Sequence, residues 1–192
     1  MSSLSETVPA ADHPTRIDLV GLSREELSQT LAELDLPDYR TKQIWHWIYY
    51  RGAKSFDEMT TLAKPLRRDL AERFSISRAG IATAQISNDC TRKWLLDFSD
   101  GKQAETVFIP ESDRGALCIS SQVGCTLSCS FCHTGTQPMV RNLTAGEIVG
   151  QMMTARDEIG EWPAAQETRL LSNIVMMGMG EPLYNYDNVV KA

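Results

Sequence analysis

The 192-residue sequence has no apolar run approaching the roughly 18 to 20 residues that span a bilayer, which argues against a membrane-spanning helix. Its first fifteen residues, MSSLSETVPAADHPT, lack both a basic start and an apolar core, so they read as a disordered tail rather than a secretory signal. There is no excess of positive charge: the formal net charge of −6 argues against nucleic-acid binding over the whole surface. Internal repeats are absent, and so is a second arm of paired cysteines.

What is present fits a globular chain long enough for one ordinary domain or two small ones, with 42% hydrophobic and 23% charged residues. The charge is unevenly spread. Residues 36–80 hold Arg40, Lys42, Arg51, Lys54, Lys64, Arg67, Arg68, Arg73 and Arg78 against only Asp38, Asp57, Glu58, Asp69 and Glu72, so a local basic face that grips RNA phosphates is one reading of this segment. The other is a solvated face with Trp45 and Trp47 in the core, and helical spacing of large apolar residues favours core for the tryptophans.

The chain divides into a tail over 1–15, a helical domain over 16–80, a β-hairpin connector over 81–114, and the start of an α/β unit over 115–192. Ser23 and Glu26 form a capping-box pattern ahead of Leu27, Leu31 and Leu34, which predicts a helix over about 24–34 ending before Pro37. A second is expected from Tyr39 to Tyr50, with Gly52 beyond it, and a third from Pro65 through Leu66, Leu70 and Phe74. Strands are expected at 81–86, 93–98 and 105–109, with Asp100-Gly101 as a hairpin turn. A strand over 116–123, a helix capped by Thr144 and Glu147, and a strand over 172–177 then make a parallel βαβ unit. A single such unit leaves a sheet edge and both faces uncovered, so more chain is expected after Ala192, with residues 186–192 opening another helix.

Five cysteines without an export signal point to a reducing compartment, hence a cytoplasmic location. Cys118, Cys125, Cys129 and Cys132 crowd into fifteen residues. The run Cys125-Thr-Leu-Ser-Cys129-Ser-Phe-Cys132 follows a strand as C-x3-C-x2-C. Three thiolates from one loop can hold three irons of a [4Fe–4S] cube and leave the fourth open to S-adenosylmethionine, whose sulfonium then receives one electron. A zinc loop with Cys118 or His133 as fourth ligand is the alternative; zinc sites more often use two separated arms.

The segments Glu105-Thr-Val-Phe-Ile-Pro110, Cys118-Ile-Ser-Ser-Gln-Val-Gly-Cys125, Cys129-Ser-Phe-Cys132, Arg141-Asn-Leu143 and Val175-Met-Met-Gly-Met-Gly-Glu-Pro182 together resemble those of the radical S-adenosylmethionine (radical-SAM) RNA adenine C2 methyltransferases, from about Leu22 onward. The resemblance implies an α/β fold: a small N-terminal helical domain and β connector, then the first βαβ unit of a partial (β/α)6 radical-SAM barrel. It implies that Cys125, Cys129 and Cys132 ligate the cluster, and that Gly178, Gly180 and Glu181 bind the amino-acid part of S-adenosylmethionine. Glu105 corresponds to the proton acceptor, and Cys118 to the cysteine that forms a transient disulfide with a downstream methyl-carrying cysteine as product leaves. Cys90 belongs to none of these motifs and reads as structural.

The implied substrates are 23S rRNA and tRNA, the implied cofactors the cluster and S-adenosylmethionine, and the implied redox partner a reducing electron-transfer protein. No counterpart of the methyl-carrier cysteine precedes Ala192, so these 192 residues alone are expected not to methylate RNA. A sister group acting on adenine C8 shares the cysteine motif, and a non-catalytic remnant with an RNA-binding helical domain is a further alternative.

Overall fold

The structure, a computed structural model, describes residues 16–112, 114–163 and 169–192. The expected N-terminal tail lies outside the described residues.

Strand β1 (Ile17–Asp18) leads into helix α1 (Arg24–Leu31), which a single 3-10 turn (Ala32–Leu34) extends to the residue expected. The capping box is formed: the Glu26 amide donates to Ser23 Oγ (3.1 Å) and the Ser23 amide to the Glu26 carboxylate (2.7 Å). Helix α2 (Asp38–Tyr49) follows Pro37, and helix α3 (Lys64–Arg73) carries Pro65 in its first turn, where the missing N–H costs nothing. The sequence pattern runs α3 one residue too far. Phe74 instead opens strand β2 (Phe74–Ser75), which pairs in parallel with β1, while its ring stays in the same core. Two-residue strands leave no periodicity to read.

Strands β3 (Gly80–Ile86), β4 (Arg92–Asp97) and β5 (Gln103–Pro110) form an antiparallel meander, and β5 pairs with β6 (Gly115–Cys118). Gly101 takes the left-handed conformation (φ 73°) in the β4–β5 turn, as expected for Asp100-Gly101. The expected strand over 116–123 breaks in two: β6 stops at Cys118, and β7 (Gln122–Val123) pairs in a separate ladder with β8 (Arg141–Asn142). Helix α4 (Ala145–Ile159) then crosses over to β9 (Asn173–Val175), which lies parallel to β6 and completes the βαβ unit. A 3-10 turn (Pro182–Asn185) leads into α5 (Tyr186–Lys191). The main sheet runs β3-β4-β5-β6-β9, so the connector and the first strand of the α/β unit belong to one continuous sheet. Among the described residues no helix is long and apolar enough to cross a membrane.

Two cores share α4 as a wall. Leu27, Leu31, Ile44, Ile48, Met59 and Leu70 fill the helical core, to which α4 adds Met153. Trp94, Leu96, Phe108 and Leu117 fill the sheet core, to which α4 adds Ile148 and Ala155. Trp45 and Trp47 are only partly buried and cover the helical core from outside; its fully buried α2 positions are Ile44 and Ile48. Asp157 of α4 bolts the two halves together by accepting from Arg78 Nε (3.0 Å), Lys54 Nζ (3.3 Å) and Trp162 Nε1 (2.8 Å).

Candidate functional site

Past Cys118 the chain leaves the β ladder, and at Ser120 a side chain replaces the strand partner of its backbone. Gln151 of α4, fully buried, accepts from the Ser120 amide (2.8 Å) and Thr106 Oγ1 (2.9 Å) and donates to the Ser120 carbonyl (2.8 Å). Asn185 Nδ2 donates to the carbonyls of Ser121 and Leu143, both at 2.7 Å. These bonds satisfy the Ser120 amide and carbonyl and the Leu143 carbonyl, which would otherwise be buried without partners, and reinforce the Ser121 carbonyl, which also accepts from Leu143 N (3.0 Å). They fix residues 119–122 as a platform at the carboxyl ends of the parallel strands, where α/β sheets place their sites.

The glycine-rich turn after β9 docks on this platform. Gly178 N donates to the Ile119 carbonyl (3.0 Å) and Met179 N to Ser120 Oγ (2.9 Å), while the Met179 carbonyl accepts from Ser121 N (2.8 Å). A Cβ on Gly178 would stand 2.7 Å from Ile119 backbone atoms, and Gly180 (φ 95°) would drive one to 2.6 Å from Gln122 Cβ, so only glycine fits at both. Glu181 N donates to Gln122 Oε1 (3.0 Å), and the Glu181 carboxylate caps the following turn by accepting from Leu183 N (3.1 Å). Of the turn's backbone, Gly180 N and the carbonyls of Gly178 and Gly180 make no hydrogen bond among the described residues.

The cysteine loop leaves the same platform on the other side. The β7–β8 ladder closes its base, and Gly124 (φ 77°) lies so close to the Pro138 carbonyl that any side chain would collide with it. Within the loop, Cys132 N donates to the Cys129 carbonyl (3.1 Å) and Leu127 N to Cys125 Sγ (3.4 Å). The Gly135 amide donates to the Cys132 carbonyl (3.1 Å), and the nearby N–H groups of Gly135 and then Thr134 hold the Cys132 thiol below the usual range, because N–H donors favour the thiolate. Gln122 joins loop and turn. Its Oε1 accepts from both Glu181 N and Thr126 Oγ1 (3.3 Å), and its Nε2 donates to Asn142 Oδ1 (2.8 Å).

Glu105 and Cys118 lie on the sheet face away from α4: Val107, two residues from Glu105 on the same face, is the register partner of Cys118. Glu105 is half exposed, with Lys93 Nζ 3.1 Å from its Oε1. Its amide meets Met179 Sδ (3.4 Å) and its carbonyl accepts from Ser120 Oγ (2.6 Å), which ties this strand to the turn. Burial pushes the Cys118 thiol up, partly offset by the Met177 amide. Cys90, at φ 65°, is exposed in the β3–β4 turn. All five cysteines are free thiols.

Among the described residues no three His, Cys, Asp or Glu side chains converge on a single metal-ion position. A cuboidal cluster takes each cysteine on a different iron, so its ligands need not converge on one point. The donor set fits such a group: three thiols on one closed loop, with the Leu127 amide donating to the Cys125 sulfur and the Cys132 thiol held below the usual range by nearby N–H groups. Sequence reasoning misses Gln122, Gln151 and Asn185. The one signal was a lone glutamine, Gln151, on the apolar stripe Ile148, Met152, Ala155.

Residues 17–76 match the family model of the ribosomal RNA large subunit methyltransferase N-terminal domain. The chain is 62% identical over 181 residues to the dual-specificity RNA methyltransferase RlmN of Rhodospirillum rubrum, covering 94% of this chain and 42% of that protein. To the protein of the same name from Zymomonas mobilis it is 58% identical over 197 residues, covering 97% and 50%. The crystal structure of a radical SAM methyltransferase from Sphaerobacter thermophilus superposes with a TM-score of 0.81 at 42% identity, covering 91% of this chain and 50% of that one. The chain thus spans half or less of the length of these relatives.

Proposed function

The chain belongs to the family of the dual-specificity RNA methyltransferase RlmN, whose N-terminal part it matches, and from that premise we propose that it carries the cofactor-binding half of a radical-SAM enzyme methylating C2 of adenine in 23S rRNA and tRNA. The supporting observation is the convergence of the cysteine loop and the glycine-rich turn on one buried side chain, Gln122. Cys125, Cys129 and Cys132 would hold a [4Fe–4S] cluster. Bound there, the cluster supplies one electron to the sulfonium of S-adenosylmethionine, which gives access to a carbon that polar methyl transfer cannot reach.

The chain's own residues do the rest by holding and orienting. Gly180 N and the carbonyls of Gly178 and Gly180 would be free to meet the amino and carboxylate groups of S-adenosylmethionine, and Glu181 orders the turn by capping it. Glu105 accepts a proton at its carboxylate, with the Lys93 ammonium as counter-charge for the ionised form. Cys118 supplies the thiol that releases product, positioned on the same face by its place opposite Val107. A reduced cluster implies a cytoplasmic setting and an electron-transfer partner.

Anaerobic reconstitution with iron and sulfide tests the reading. Visible charge-transfer absorbance should develop in this chain and be lost in Cys125→Ala, Cys129→Ala and Cys132→Ala. Absorbance that never forms, or that survives those substitutions, would contradict it.

A further inference from the structure

The outward face of α2 and the turn just after it carry two cations without ion pairs among the described residues, Lys42 and Arg51, beside several flat rings. Lys54 and Arg78 are committed to Asp157, but Lys42 and Arg51 form no ion pair among the described residues. The helix carries a single carboxylate, Asp38 in its first turn. Helical spacing lines up Tyr39, Lys42, His46 and Tyr50 opposite the buried Ile44 and Ile48. Tyr39 is 52% exposed and Tyr50 42%, and the rings of His46 and Tyr50 stack at 4.6 Å. Lys42, His46 and Arg51 wall an open hollow of about 310 Å³ whose floor is Trp47 and Thr61, joined by a Trp47 Nε1 to Thr61 Oγ1 hydrogen bond of 2.8 Å. The exposed Arg51 guanidinium lies 5.2 Å from the centre of the Trp47 ring, over its face.

Cations without counter-ions alternating with exposed aromatic rings suit a strand of phosphates with unpaired bases, since phosphate contacts supply affinity and every base has a face to stack. We propose that this face of α2 docks an unpaired stretch of RNA, with Lys42 and Arg51 on phosphates and the exposed Tyr39 and Tyr50 rings under bases. The inference rests on the reading that the substrate is RNA and adds where the helical domain grips it.

The test titrates a fluorescein-labelled RNA stem-loop with the 192-residue chain at several salt concentrations. Lys42→Glu and Arg51→Glu should each weaken binding about tenfold and lower the salt slope by about one. Tyr39→Ala should weaken it about fivefold with the slope unchanged. Lys102→Glu, the same charge reversal on the β4–β5 hairpin, should change neither. These side chains are on the surface; if circular dichroism shows a glutamate variant unfolded, Lys42→Gln or Arg51→Gln replaces it with the same expected direction. No binding by the unsubstituted chain, an equal loss in Lys102→Glu, or competition by polyglutamate as strong as by unlabelled RNA would overturn the proposal. Neither iron nor S-adenosylmethionine enters this assay, so its failure leaves the cluster reading standing, and failed reconstitution leaves the RNA titration interpretable.

Discussion

The helical half and the strand-end half are buried by different means. Around α1, α2 and α3 the fully buried side chains are Leu19, Leu27, Leu31, Ile44, Ile48, Met59 and Leu70, all apolar. At the carboxyl ends of β6 and β9, Gln122, Gln151, Ser120, Ser121 and Asn185 are buried instead, each hydrogen-bonded. Among the described residues every buried polar side chain lies after residue 105. Apolar packing is non-directional and stabilises a domain whose exact backbone course matters little. Hydrogen bonds fix a backbone to within a few tenths of an ångström, which a turn and a thiol loop need if they are to meet on one ligand.

Substitutions can break that contrast. Leu70→Ala should lower stability by about 2–5 kcal/mol through the cavity it leaves, measured by chemical denaturation, while cluster loading of the folded fraction is unchanged. Gln151→Leu should cost about 2–3 kcal/mol, because Ser120 N, Ser120 O and Thr106 Oγ1 lose their partner together, and it should also disturb cluster loading. If Leu70→Ala harms the site as much as Gln151→Leu, the two halves are not distinct in this way. Gln122→Leu should weaken S-adenosylmethionine binding to the reconstituted chain about tenfold, read by equilibrium dialysis, with the thermal unfolding of the helical half unmoved.

The smallest effect concerns the clamp between the β4–β5 turn and α4. Arg141 bonds both Asp100 and Glu147, joining the β4–β5 turn to the start of α4, and its guanidinium holds the Asp100 carboxyl down at about 2 from an ordinary 3.8. A depressed carboxyl stabilises the fold above its unfolded value and loses that contribution as pH falls through the folded one. Acid titration between pH 4 and 2 should therefore show a modest loss of stability that Asp100→Asn abolishes. An identical acid limb in both proteins would remove the clamp from the account.

The helical half was largely legible because its determinants are local: a capping box, prolines at helix starts and leucines at helical spacing. Phe74 escaped because its buried ring satisfies the helical period equally well from a two-residue strand. Cys125, Cys129, Cys132 and the glycine-rich turn stood out by residue type and spacing. The break at Cys118 did not. Ile119-Ser-Ser-Gln-Val123 has β-branched residues at both ends and reads on as strand, and what takes Ser120 out of the ladder is Gln151, some thirty residues away, offering partners to its amide and carbonyl. Gln122 and Asn185 were illegible for the same reason, since a buried amide is recognised only by the distant backbone groups it serves.

The most direct test of the central claim, that loop and turn form one cofactor site, is the electron paramagnetic resonance spectrum of the reduced, reconstituted chain with and without S-adenosylmethionine. If the cluster and S-adenosylmethionine share this site, adding S-adenosylmethionine should shift the spectrum, and Gln122→Leu should blunt that shift while retaining the cluster. A spectrum indifferent to S-adenosylmethionine in the unsubstituted chain would contradict the account.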